Sequence, residues 1–295
     1  MSALTSLARL LQDPPPSHIF EISEAGIAYA RNDGSGRVDF RPLAPDVVSP
    51  SPLRDNILSP DAFADVIRAL APAAAGRKRG RAALILPDFV SRIAVLDFDT
   101  FPTDAHEQLS LVRFRMKKSV PFDVESAVVS FHAQSVPGTK RYEVVVGLAA
   151  LEIVARYEAP FRFAGFHPGL VTISTIAALN LAPQSSFVLA RLSGRVLTVT
   201  VSEGPVLRLV RCIELPEVSS VEITNVLFPT FAYIEDQLTS RPSTLLMCGF
   251  GDLTEQYSRE WQHELNLPVE PLQSRYGTPG ANNAGLLGFL QGQVQ

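Results

Sequence analysis

Two aspartates near the end of one β-like run come nearest to the spacing that acid–base chemistry needs. Asp97 and Asp99 lie two positions apart, so on a strand both carboxylates would point to the same side. A working pair also needs a neighbouring acid, base or cation that sets the two pKa values apart, and the adjoining sequence offers none. We interpret the two residues as the exposed end of a strand, with paired catalytic carboxylates as the alternative.

The histidines and cysteines have no spacing typical of a metal or nucleophile site. The five histidines show no metal-ligand pattern, and no serine lies in a nucleophile elbow. Cys212 and Cys248 each lie inside an apolar run, which is typical of buried, reduced thiols in a cytosolic protein. The sequence therefore predicts neither a disulfide nor a metal site.

Composition predicts a soluble globular protein whose main partner is not nucleic acid. The 295 residues carry a formal net charge of −4, which disfavours binding to a polyanion. No apolar run approaches the roughly 20 residues that span a bilayer, and the N-terminus lacks the pattern of an export signal. A short amphipathic segment is expected to dock on the protein itself, with a membrane surface as the alternative; its apolar residues are Leu4, Leu7, Leu10 and Leu11.

Three β-like runs open the chain, and a similar opening recurs in its second half. The six runs are His18–Ser23, Gly26–Arg31, Val38–Pro42, Phe187–Leu192, Val196–Ser202 and Val206–Ile213. This recurrence predicts an internal repeat of two lobes. We assign the first lobe to residues 1–81 with a return at 164–183, which includes a predicted helix from Leu170 to Asn180. The second lobe is assigned to residues 184–282, and a C-terminal helix to 283–295.

Residues 82–163 are predicted to form an inserted α+β unit of strand, helix, strand, strand and helix. Its first helix begins at Asp104, because an aspartate N-cap is followed three residues later by Glu107. The helix must end before Pro121, and Lys118 is its predicted last residue. Leu151 to Phe163 forms the closing helix.

The helix from Asp104 to Lys118 has apolar residues on two sides. The helical period predicts a core face made of Ala105, Leu109, Val112 and Met116. Leu111 and Phe114 project away from that face, among four basic residues. Either a second layer of the protein covers this pair, or it is a docking surface for an acidic and apolar partner segment.

Several motifs of the inserted unit resemble a known family. They are Leu86-Pro87-Asp88, the run Ala94 to Phe98, Phe101-Pro102, and Val120-Pro121-Phe122 at the end of the amphipathic helix. Their order is similar to that of the inserted subdomain of PilM, the actin-like type IV pilus assembly family of the actin/FtsA-like superfamily. The resemblance implies an α/β, actin-like (ribonuclease H-like) fold of two lobes, with an inserted βαββα subdomain. Family members usually carry a further helical subdomain that roofs the nucleotide, but the segment between Leu215 and Ser220 leaves little room for one, which predicts a reduced second lobe.

The turns at which actin-like ATPases hold phosphates are altered in this chain. At the first turn, Glu21 stands for the usual aspartate, serine replaces glycine, and Glu24 adds negative charge where a phosphate would lie. At the second turn, Arg191 lies about where an acid is expected. A third element, a glycine pair that passes beside the base and ribose, survives partly as Gly249 and Gly251, and Phe250 between them is expected to intrude on the nucleotide space. The resemblance therefore implies a pseudo-ATPase without a cofactor; an ATP- and Mg-binding, non-hydrolysing switch is the alternative. The vestigial positions are Ser23, Ser193, Gly194, Gly249 and Gly251.

The resemblance also implies a docking function. In the PilM family, the N-terminal tail of a PilN-type inner-membrane protein docks between the first lobe and the inserted subdomain. Transferred by position, the partner-binding residues are Leu111, Phe114, Arg115, Lys118, Val120, Pro121 and Phe122. We expect a bacterial, cytoplasmic scaffold held at the inner membrane through its partner, with self-association also open. A cytoplasmic domain like that of the type II secretion protein GspL is a further alternative.

Overall fold

The computed structural model describes residues 15–72, 80–136, 138–238 and 240–293. The strands are, in chain order, β1 (His18–Ile22), β2 (Gly26–Arg31), β3 (Val38–Pro42), β4 (Gly80–Leu86), β5 (Arg92–Phe98), β6 (Ala127–Ser135), β7 (Tyr142–Ala150), β8 (Phe166–Ile173), β9 (Phe187–Ser193), β10 (Val196–Glu203), β11 (Val206–Glu214), β12 (Thr244–Cys248) and β13 (Val269–Pro271). The helices are α1 (Pro60–Leu70), α2 (Ala105–Met116), α3 (Leu151–Phe163), α4 (Ser174–Ala178), α5 (Ser220–Gln237), α6 (Thr254–Leu265) and α7 (Ala284–Gly292). Among the described helices, none has the length and hydropathy needed to cross a bilayer. The amphipathic segment predicted at Leu4 to Leu11 lies outside the described residues.

Two five-stranded sheets repeat one strand order. The first sheet has the order β3-β2-β1-β4-β8, and the second has the order β11-β10-β9-β12-β13. In each sheet three antiparallel strands are followed by two parallel ones. The predicted internal repeat is therefore confirmed. The short strand β13, which the sequence did not predict, takes the place in the second sheet that β8 has in the first.

Helices cover both faces of each large sheet, so the strands are apolar on both sides. On β1, for example, Phe20 points towards α1 and α3, whereas Ile19 points towards α4 and α7. Helices α4 and α7 also contact the second sheet, whose other face is covered by α5 and α6. The layer that contains α4 and α7 therefore joins the two lobes. Side chains that point into this layer from either large sheet meet between the lobes.

The inserted unit is a three-stranded antiparallel sheet, in the order β5-β7-β6, with α2 on one face. The predicted N-cap of α2 is confirmed, because the Asp104 carboxylate accepts hydrogen bonds from the backbone N–H groups of His106 and Glu107, both at 3.0 Å. Val112 and Met116 are buried as predicted. Ala105 is exposed, however, because it lies in the first turn, before the helix reaches the sheet.

The boundaries of the inserted unit differ from the predicted 82–163. Strand β4 pairs with β1 and β8 at the centre of the first sheet, and α3 packs into the core of the first lobe through Tyr157 and Phe161. The inserted unit therefore consists of β5, α2, β6 and β7. A short apolar run such as Ala82–Leu86 does not indicate which sheet it joins, because partner choice is a tertiary property.

The return to the first lobe also differs from the predicted helix at Leu170–Asn180. Residues up to Ile173 belong to β8, and α4 begins at Ser174. Pro168 is tolerated there because β8 is an edge strand, where a missing N–H costs no ladder hydrogen bond on the open side. The second lobe is reduced as predicted, since only five residues, 215–219, connect β11 to α5.

Candidate functional site

Three charged side chains meet between the lobes, at the carboxyl ends of the central parallel strands. Glu21 lies near the end of β1, Asp88 follows β4, and Arg191 lies near the end of β9. Glu21 has the same strand parity as Ile19, and Arg191 has the same parity as Leu189, so both side chains enter the layer between the sheets. All three side chains are almost fully buried, with exposed fractions of 1% for Glu21, 1% for Asp88 and 3% for Arg191.

Arg191 bridges the two carboxylates from the opposite lobe. Its Nη1 donates to Asp88 Oδ2 at 2.9 Å, and its Nη2 lies 3.4 Å from Glu21 Oε1. Nη2 also donates to the backbone carbonyl of Ala281 at 2.9 Å. The guanidinium therefore holds groups of the first lobe and of the segment before α7 together.

Hydroxyl and amide groups satisfy the remaining carboxylate oxygens. Asp88 accepts from the N–H and the hydroxyl of Thr175, and from the Thr198 hydroxyl at 2.9 Å. Glu21 accepts from the Ser174 hydroxyl and, at 2.7 Å, from the N–H of Leu286. Leu286 lies in the first turn of α7, so Glu21 also stabilises the N-terminus of that helix.

The charges of this centre depend on each other. Burial raises the pKa of Glu21, and the Arg191 guanidinium offsets only part of that effect. For Arg191, burial favours the neutral form, but the carboxylates of Asp88 and Glu21 outweigh burial and raise its pKa above the ordinary value. Arg191 is therefore a permanent cation in a buried centre.

A cleft of about 370 Å³ opens beside the charged centre. The β1–β2 and β9–β10 turns face each other across it, with Glu24 Oε2 3.3 Å from the position that a Cβ on Gly194 would occupy. The Ser23 hydroxyl is used within its own turn, where it donates to the Gly26 carbonyl at 3.0 Å. The cleft wall carries charges of both signs. Arg195 and Glu214 both line it and form an ion pair, with 3.0 Å between Arg195 Nη2 and Glu214 Oε1.

A second cavity, of about 270 Å³, lies between the inserted sheet and the first lobe. One wall comes from β8 and α4 and includes Val171 and Ile173. The other wall is the face of the inserted sheet that α2 does not cover. Its residues alternate with those of the inserted core and are Ile93, Val128, Ser130, His132, Val145, Gly147 and Ala149. We call this cavity the insertion groove.

Gly147 gives the insertion groove its depth. It lies on the central strand β7, between Ile93 on β5 and Ser130 on β6. A Cβ added at Gly147 would meet only the Ser130 carbonyl oxygen, at 4.0 Å. The floor is therefore open enough for another chain to approach its backbone closely.

Comparison with solved structures gives the fold its context. A chain of a PilM–PilN type IV pilus biogenesis complex matches with a TM-score of 0.78 and 18% identity, covering 96% of this chain and 100% of that one. The cytoplasmic domain of EpsL, an inner-membrane component of the type II secretion system of Vibrio cholerae, matches with a TM-score of 0.53 and 13% identity, over 94% of each chain. A Bacteroides thetaiotaomicron protein with an actin-like ATPase fold matches with a TM-score of 0.53 and 9% identity, over 92% of this chain and 94% of that one. The chain has an actin-like fold. Neither the protein-family models nor the curated protein sequences match it.

Packing explains Gly249, the first glycine of the pair at the third nucleotide element. Gly249 has a φ of +86°, and a Cβ there would lie 2.0 Å from the carbonyl oxygen of Leu192. Glycine is therefore required at this position whatever the cleft contains. Phe250 does not intrude on the nucleotide space, contrary to our expectation. It is buried against Tyr257 and Trp261, because its side chain turns into the core of the second lobe.

The residues predicted to bind a partner do not line the insertion groove. Phe114 is 75% exposed and lies on α2, on the opposite side of the inserted sheet. Leu111, Val120 and Phe122 are partly buried against the core beneath α2, so they serve packing. Arg115 lies over the Phe98 ring at 4.9 Å and near Asp97 at 3.7 Å. Pro121 and Lys118 are exposed beyond the end of the helix.

The sequence did not indicate the groove residues, nor Asp88 as a member of the charged centre. Strand β7 is apolar on both faces, from Val144 to Ala149, which is a signal for a sheet with two covered faces. Asp88 follows a buried strand directly, and an acid at the carboxyl end of a parallel strand is typical of a functional position. Ser174, Thr175 and Thr198 carry no comparable signal, because isolated hydroxyl residues occur throughout the chain.

Proposed function

We propose that this actin-like protein is a cytoplasmic adaptor in the assembly of a type IV pilus or a related secretion machine. It binds the cytoplasmic tail of a PilN-like inner-membrane protein, which holds it at the membrane, and it does not hydrolyse ATP. The higher TM-score with a PilM–PilN complex, 0.78 against 0.53 for the EpsL domain, supports a PilM-like role over a GspL-like one. The single observation that carries the proposal is the insertion groove, which lies between the lobe and the subdomain where the resemblance puts the tail.

The groove walls favour an extended, apolar peptide. Strands form most of both walls, and aliphatic side chains such as Ile93, Val145 and Ile173 dominate them. Strand β6 is an edge of the inserted sheet and β8 an edge of the first sheet, so each leaves backbone groups unpaired on one side. An extended segment lying between them could pair with one edge while its side chains fill the space above Gly147.

Filling the floor of the groove tests the proposal directly. Gly147→Val adds a branched side chain over the open floor, and valine suits a strand better than glycine does. We expect at least a tenfold loss of affinity, or about 1.4 kcal/mol, for the tail peptide of an inner-membrane protein encoded beside this chain. The melting temperature should stay the same or rise. Fluorescence anisotropy titration and thermal melting measure the two effects.

The matched control for that variant is Phe114→Glu. Phe114 is exposed on α2, so its replacement should change neither stability nor peptide affinity. If Phe114→Glu abolished binding and Gly147→Val did not, the tail would bind the helix surface that the sequence suggested. If neither variant changed the affinity, the groove assignment would be wrong.

The absence of ATP hydrolysis is proposed from the charged centre. The buried guanidinium of Arg191 lies where the alternative hypothesis needs a metal ion and a phosphate, and Glu24 adds negative charge at the cleft. Saturating Mg-ATP should therefore leave the melting temperature unchanged and release no phosphate. A ligand at 100 times its Kd would stabilise the protein by about 2.7 kcal/mol, so a clear thermal shift would favour the nucleotide switch instead.

A further inference from the structure

We infer that the Arg191 guanidinium takes the place of a bound cation and thereby fixes the two lobes against each other without any ligand. Glu21 and Asp88 belong to the first lobe, whereas Arg191 belongs to β9 of the second. Two carboxylates whose side chains are about 99% buried stay ionised only with a positive charge beside them, because burial removes most of their hydration. Arg191 supplies this charge from across the cleft.

The hydrogen-bond partners of the guanidinium form the kind of site that a hard divalent cation prefers. They are oxygens of the Glu21 and Asp88 carboxylates and of the Ala281 carbonyl, and the hydroxyls of Ser174 and Thr198 bond to the same two carboxylates. Mg²⁺ and Ca²⁺ are held by such oxygen sets, which combine acidic side chains with neutral donors. With Arg191 removed, the same oxygens would surround an empty, negatively charged space.

The arginine has a structural consequence that an exchangeable ion would not have. Because its charge belongs to the chain, the connection between β9, β1 and the turn after β4 cannot be released by loss of a ligand. Helix α7 belongs to the same connection, since Glu21 accepts a hydrogen bond from the N–H of Leu286 and Arg191 donates one to the carbonyl of Ala281. An adaptor whose lobes are held in this way presents the insertion groove in one arrangement.

The test is Arg191→Ala, studied with Mg²⁺, Ca²⁺ and Mn²⁺ alone. We expect a variant with a lowered melting temperature that rises saturably with cation concentration, and heat of binding for about one ion in calorimetry. Arg195→Ala is the matched control, because Arg195 lies four residues away in an exposed pair with Glu214. It should respond to cations no more than the wild type does. A triple variant, Glu21→Gln with Asp88→Asn and Arg191→Met, keeps the volume without the charges and should not bind the ions.

Each outcome decides the role of Arg191. If Arg191→Ala folds only when a divalent cation is present, the inference is supported. An Arg191→Ala chain that ignores cations, whether folded or unfolded, overturns it, and so does an equal response of the wild type or of Arg195→Ala. The stand-in role of Arg191 rests on the proposed lack of ATP binding and hydrolysis, but experiments can refute either proposal without refuting the other. Mg-ATP binding by the wild type would refute only the lack of nucleotide chemistry, whereas cation-insensitive Arg191→Ala would refute only the stand-in role.

Discussion

Cys212 and Cys248 hold neutral thiols because the surrounding protein disfavours a thiolate. Burial raises the pKa of each thiol to about 12, against an ordinary value of 9.0. At pH 8 the thiolate fraction is then roughly one in ten thousand, which leaves little nucleophile for oxidation or alkylation. Cys248 also donates weakly to the Gly280 carbonyl, at 3.7 Å, so it belongs to the packing beside Arg191.

The raised thiol pKa values predict a loss of stability at alkaline pH. Between pH 9 and 12 the thiols of the unfolded chain ionise while those of the folded chain remain protonated, so the stabilisation present below pH 9 is lost as the pH rises. Each thiol should lower the free energy of unfolding by up to about 1.4 kcal/mol per pH unit in that range. Urea denaturation at pH 8, 9 and 10 measures the slope. Cys248→Ala should have a shallower slope than the wild type, and equal slopes would contradict the assigned pKa.

At the scale of elements, local chemistry could be predicted and the choice of neighbours could not. Strand β2 was predicted at Gly26–Arg31 and is found there, because turn residues bound its apolar run on both sides. The cap at Asp104 was predicted because capping depends on neighbouring residues only. Most of strand β4 falls inside the predicted inserted unit of residues 82–163, although β4 pairs with β1 and β8 of the first lobe.

The partner-binding residues predicted from the sequence lie outside the insertion groove for a related reason. The helical period marked Phe114 as apolar and away from the core, and that much is correct. It gave no weight to the second apolar face of β7, where Val145 and Gly147 lie, because a strand that is apolar on both faces resembles any buried strand. Likewise, the sequence indicated that Arg191 is out of place in a phosphate turn. It could not indicate that Asp88, 103 residues away, would receive its hydrogen bond.

At the scale of the whole molecule, the inserted unit touches both lobes. Besides the groove on the side of the first lobe, it contacts strand β11 of the second lobe through Gln134. The Gln134 amide donates to the Leu207 carbonyl at 3.0 Å and accepts from the Leu207 N–H at 2.9 Å. An ion pair between Arg208 and Glu143 lies alongside. Strand β6 therefore carries groove residues such as Ser130 and, four positions later, the contact with the other lobe.

This continuity predicts that occupancy of the groove is sensed at Leu207. A peptide that contacts Ser130 and His132 would restrict β6, and restriction at one end of a paired strand lowers the opening of hydrogen bonds at the other. The Leu207 amide should exchange with solvent more slowly when the tail peptide is bound.

In Gln134→Ala this amide loses its acceptor, so its exchange should be fast with or without peptide, and the free energy of unfolding should fall by about 1–2 kcal/mol. Hydrogen exchange with mass spectrometry on both proteins measures this, with the Val201 amide, inside the paired strands of the second sheet, as the internal reference. If peptide protected Leu207 equally in the wild type and in Gln134→Ala, the signal would reach the second lobe by another route, and Gln134 would be only a local contact.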